Sequence, residues 1–76
     1  MMKTYKDVDG DSGVAAYESG LDWICVQFKT GTVYEYTCSS TGQHNIETMK
    51  RLADSGDGLN SFINTHVKKL YSRRIQ

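Results

Sequence analysis

The sequence predicts an α+β domain: a three-stranded antiparallel β-meander, then two helices packed on one sheet face, with room for a short C-terminal edge strand. Three observations predict it. Apolar residues alternate with period two across residues 14–37, then recur at spacings of three and four across residues 46–70, and 76 residues suffice for one domain only. Strands followed by helices bury their apolar faces most simply by laying the helices on the sheet.

Residues 1–11 are polar and acidic and read as a mobile arm; residues 12–76 read as the single domain. Val14-Ala15-Ala16-Tyr17 is a short strand, and Ser19-Gly20-Leu21-Asp22 turns the chain, with Gly20 free to take a positive φ. Trp23-Ile24-Cys25-Val26-Gln27-Phe28 and Thr32-Val33-Tyr34-Glu35-Tyr36-Thr37 are the next two strands. Between them, Lys29-Thr30-Gly31 fits a three-residue loop closed by a left-handed glycine. That loop sets Val26 opposite Tyr34 and Ile24 opposite Tyr36, so Ile24, Val26, Phe28, Tyr34 and Tyr36 share the core face. A two-residue loop would turn both tyrosines outward beside Trp23. The position of Gly31 favours the longer loop. The opposite face, carrying Trp23, Cys25, Gln27, Val33, Glu35 and Thr37, is left to water or a partner.

Ser40-Thr41-Gly42-Gln43 reads as a capping box with Ser40 at the N-cap. Ile46, Met49, Leu52 and Ala53 follow at helical spacing up to Gly56, a helix stop. Asp57 is the expected cap of a second helix, whose stripe is Leu59, Phe62, Ile63, Val67 and Leu70. Phe62, Ile63 and Val67 are expected to pack against the tyrosines. Residues 71–75 form an edge strand or run irregularly.

A domain of this size has a small core and little room for a deep pocket. No stretch is apolar over the length of a membrane span, and residues 1–6 lack the apolar region of a signal peptide, which favours the cytoplasm. Cys25 and Cys38 read as free thiols of a reducing compartment. The net charge is zero but unevenly spread: residues 1–47 set three lysines against seven carboxylates, residues 48–76 six cations against two. A basic half attracts phosphates, although basic residues also gather at helix C-termini.

Few constellations carry chemistry. Asp7, Asp9, Asp11 and Glu18 have the ligand spacing of a calcium loop, but Ser12 stands where that loop needs glycine and Glu18 belongs to a strand. No calcium binding is expected. Cys25, Cys38, His44 and His66 lack the paired spacing of a zinc site, and nothing supplies Cys25 with a base. With no paired carboxylates, phosphate-cradling loop or cofactor fingerprint, no metal, no cofactor and no enzyme activity are expected. Lys50, Arg51, Lys68, Lys69, Arg73 and Arg74 are candidate phosphate contacts, and Tyr71, with Tyr34, Tyr36 and Trp23, a candidate stacking surface.

Taken in order, Ser12-x-Val14, Tyr17, Ile24-x-Val26-x-Phe28-x-x-Gly31-x-x-Tyr34-x-Tyr36 and Ala53-x-Ser55-x-x-Gly58 resemble the KTSC domain. That family is named after a domain at the C-terminus of some lysyl-tRNA synthetases and also occurs as free-standing small bacterial and phage proteins. Tyr34-Glu35-Tyr36 is similar to its central Tyr-x-Tyr, Asn64-x-x-Val67-Lys68-x-x-Tyr71 to its Asn-x-x-Ile-Lys-x-x-Tyr, and Arg73-Arg74-Ile75 to its basic ending. The likeness covers residues 12–75. It departs at Ser40-Thr41-Gly42, where a proline is usual, at residues 59–61, which lengthen the glycine-to-asparagine spacing, and at Ser72, where Pro-Tyr is common. Through the synthetase association the resemblance implies RNA binding, and it assigns no site residue. The sequence therefore leads to a small non-enzymatic module for RNA or another nucleic acid, with a protein partner on the uncovered sheet face as the alternative and no membrane partner.

Overall fold

The computed structural model describes residues 2–7 and 13–76. Five antiparallel strands, β1 (Lys3–Thr4), β2 (Val14–Ser19), β3 (Trp23–Phe28), β4 (Val33–Thr37) and β5 (Arg73–Arg74), lie side by side in chain order. Helices α1 (Cys38–Thr41), α2 (Gln43–Ser55) and α3 (Leu59–Phe62) follow β4, and a π-helical turn, Ile63–Val67, extends α3. Ile46, Met49, Ala53, Leu59, Ile63 and Val67 from the helical half pack on Tyr17, Ile24, Val26 and Tyr36 of the sheet. This is the expected α+β architecture, with the C-terminal edge strand present and one additional strand, β1, at the opposite edge.

The β3–β4 hairpin has the three-residue loop. Ile24 pairs with Tyr36 and Val26 with Tyr34, and the Phe28 amide donates to the Thr32 carbonyl at 2.8 Å. Gly31 takes φ 96°, a left-handed value that glycine adopts at no steric cost. Residues 73–74 form the edge strand, opposite Tyr34 and Glu35.

Several expectations are corrected. The described part of the acidic segment is no mobile arm: Lys3 pairs with Tyr17, Thr4 with Ala16, and Tyr5 is 3% exposed in the core. Its phenol oxygen accepts a hydrogen bond from the Leu59 amide at 3.3 Å, which supplies the start of α3 with a partner that no local side chain provides. Gly58, in the left-handed conformation, therefore stands at that N-cap rather than Asp57. The other helix entry is capped by Thr37, with Ser40 at N3 in a reciprocal pair, and Gly42 separates α1 from α2. Gly20 does not have a positive φ; the Trp23 indole lies over it, so close that any β-carbon there would meet the ring. The outer sheet face, finally, is less open than its alternation implies, because Cys25 (6%) and Val33 (5%) are shielded.

Leu59, Ile63 and Val67 are buried, while Phe62 is only partly so and Leu70 is exposed. A spacing of four overshoots the 3.6 residues of an α-helical turn, so in a regular helix these side chains would drift by about 40° per step across the apolar face. The wider hydrogen bonding of the π turn takes up that excess.

Candidate functional site

The π turn, the hairpin loop and β4 enclose a cleft of about 350 Å³. Its floor is Phe28, Tyr34, Tyr36 and Ile63; its rim includes Lys29, Asn64 and Lys68. The hairpin register places the three aromatic residues together, since Phe28, Tyr34 and Tyr36 all point from one sheet face. Asn64 and Lys68, four apart, sit on the neighbouring side of the same helical segment.

Tyr71 is not part of the lining; it packs beside the cleft, against two of the lining tyrosines. Its ring centroid lies 4.4 Å from that of Tyr34 at a 40° tilt and 6.5 Å edge-on from that of Tyr36, while 38% of the residue remains exposed. The chain is held there by the Thr41 hydroxyl, which donates to the Leu70 carbonyl at 2.7 Å, and by the Ser72 amide, which donates to the Glu35 carbonyl at 2.7 Å. Phe28 meets Tyr34 edge-on at 6.1 Å, completing a connected aromatic group.

The expected basic residues do not form one patch. Lys50 donates to the Gly20 carbonyl at 2.9 Å, tying α2 to the β2–β3 turn. Arg51 is exposed on α2, outside the lining of the cleft. Arg73 pairs with the Glu35 carboxylate at 3.0 Å on the outer sheet face. Paired residues of antiparallel strands share a face, so Arg74, opposite Tyr34, belongs to the cleft side. Its Nε donates to a Gln76 backbone oxygen. Lys68 and Lys69 are exposed and make no ion pair among the described residues, whereas Lys29 is held by Asp7 at 2.9 Å. Of the seven candidates, Lys68 alone lines the cleft, Tyr71 packs on its Tyr34, and Arg74 shares the sheet face of Tyr34. Lys69 is exposed next to Lys68 in the chain, and Lys50, Arg51 and Arg73 serve other surfaces. Phe28 and Asn64 were missed. Phe28 was legible from the hairpin register, but Asn64 carries no signal until the second helix is docked.

Tyr36 stands out chemically. It is 1% exposed, yet it lines the cleft, and its hydroxyl makes no hydrogen bond to a described residue. Burial, with Tyr34 and Tyr71 adding to it, pushes its pKa to about 12, so it stays a neutral phenol able to donate and accept.

The remaining groups considered do not converge. Both cysteines are free thiols. Burial, then the Glu35 and Glu18 carboxylates, pushes the Cys25 thiol upward, against nucleophile chemistry. His66 stacks on Phe62 at 4.6 Å and shares a 2.7 Å hydrogen bond with Thr65. No three His, Cys, Asp or Glu side chains among the described residues come together as a metal group. Asp9 and Asp11, weighed as calcium ligands, lie outside the described residues, and Asp7 faces Lys29. No helix of the described residues is long and apolar enough to cross a membrane. No family model, no curated protein and no solved structure matches the chain.

Proposed function

We propose that the protein is a small non-enzymatic module that binds single-stranded nucleic acid, RNA in the first instance, through the Phe28–Tyr34 cleft, the adjoining Tyr71 and the cations nearby. The observation that carries this reading is Tyr71, part-exposed and packed 4.4 Å from Tyr34, which itself lines a cleft that Lys68 also lines. Base stacking on aromatic rings is tolerant of sequence and contributes about 1–3 kcal/mol per base, while lysine and arginine take the phosphates. The likeness to the KTSC domain supports the same reading through that family's synthetase association. With three cations available, weak binding is expected, near the non-specific range of roughly 10⁻⁴–10⁻⁶ M.

The test is the salt dependence of binding to a short single-stranded RNA, read by fluorescence anisotropy. Each cation withdrawn from a phosphate lowers the slope of log affinity against log salt by about 0.7 for a single strand. Changing Lys68, Lys69 and Arg74 together to Ala should lower it by about two, and Arg51→Ala should leave it unchanged. Equal slopes for the triple variant and the parent chain would refute the assignment.

A further inference from the structure

Resting on that reading, we infer that the cleft is a pocket for one unstacked base, and that the Tyr36 hydroxyl at its floor is the group that selects the base. Ligand pockets run from about 300 to 1,000 Å³, so the roughly 350 Å³ here is at the small end: enough for one base and its sugar, not a stacked run. The chemistry of the lining is that of a nucleobase site. Phe28 and Tyr34 in the lining, with Tyr71 packed on Tyr34 beside it, offer ring faces and edges; Asn64 at the rim carries an amide that both donates and accepts.

Two features separate this site from a generic apolar dent. The first is Tyr36, a residue 99% buried in the core that nonetheless lines the cleft and whose hydroxyl has no protein partner among the described residues. No described side-chain oxygen or nitrogen is both sealed from solvent and unpaired, so the Tyr36 oxygen is one that solvent, and hence a ligand, can reach. A hydroxyl left for the ligand discriminates between ligands that can and cannot bond it. The second is charge. Lys29 on the hairpin side is neutralised by Asp7, which leaves Lys68 as the rim cation for a phosphate flanking the inserted base. An acidic peptide with an aromatic side chain is the competing occupant, and the test separates the two.

Tyr36→Phe removes one oxygen and leaves the ring in place. Because that oxygen bonds no described residue, the variant should fold with an unchanged or slightly raised melting temperature. Affinity is compared for short single-stranded RNA homopolymers and for an abasic strand of the same length. The inference predicts that the parent chain binds the homopolymers unequally, that Tyr36→Phe weakens the preferred one about three- to tenfold, and that the abasic strand is insensitive to the change. If RNA binds but Tyr36→Phe alters no affinity and no preference, the base pocket is refuted while the nucleic-acid reading survives. If no oligonucleotide binds, or an acidic aromatic peptide alone shifts the cleft amides, both are refuted.

Discussion

Two phenols define the chemistry of single residues here. Tyr17 donates to the Asp54 carboxylate at 2.7 Å, joining β2 to α2, and burial followed by that hydrogen bond pushes its pKa to about 12. Tyr36 reaches about 12 mainly through burial. Unfolding returns both to the ordinary value near 10, so between about pH 10 and 12 the unfolded chain holds fewer protons than the folded one. Stability is undiminished by these groups below pH 10 and falls as pH rises through that window. Melting temperatures followed across it should decline in the parent chain and decline less in Tyr36→Phe, where only one of the two shifted phenols, Tyr17, remains. Identical curves would show that Tyr36 is not held neutral by its surroundings.

At the scale of elements, the second helical segment sets both the core and the cleft. Leu59, Ile63 and Val67 reach the sheet through the π turn, and the same turn places Asn64 and Lys68 at the cleft rim. Ile63→Ala should cost about 2–5 kcal/mol in urea denaturation, whereas Phe62→Ala, at a half-buried position against His66, should cost less. An equal or larger loss for Phe62 would misplace the helix. The sequence made Phe62 a core anchor because a 3.6-residue period puts it on the stripe, and no pattern announces a π turn. The hairpin was legible because Gly31 fixes the loop, and the loop fixes every pairing along β3 and β4. The helix entry was misread by one turn, since Thr37 and Ser40 are both good caps and only the end of β4 decides between them. The N-terminal strand was illegible for another reason: Tyr5 meets its partner Leu59 across 54 residues, a contact that local composition cannot reveal.

Across the whole molecule, the +4 charge of residues 48–76 resolves into separate roles. Lys50 braces a turn, Arg73 neutralises Glu35 on the outer sheet face, Lys68 and Arg74 remain on the aromatic side, and Lys69 is exposed beside Lys68 in the chain. Composition reported the excess; the docking of the tail on β4 decides which charges are available. The tail also brings Tyr71 onto Tyr34, so aromatic residues from distant parts of the chain become one surface. The outer face, with Cys25 and Val33 shielded, offers a protein partner less than the alternation implied. The most direct test of the cleft as the nucleic-acid contact is an ¹H–¹⁵N titration of the ¹⁵N-labelled chain with a short single-stranded RNA at low salt. Saturable shifts should map to residues 28–36 and 63–74 and weaken as salt is raised. Shifts confined to Trp23, Cys25 and Gln27 or to Lys50 and Arg51, or no shifts at all, would contradict it.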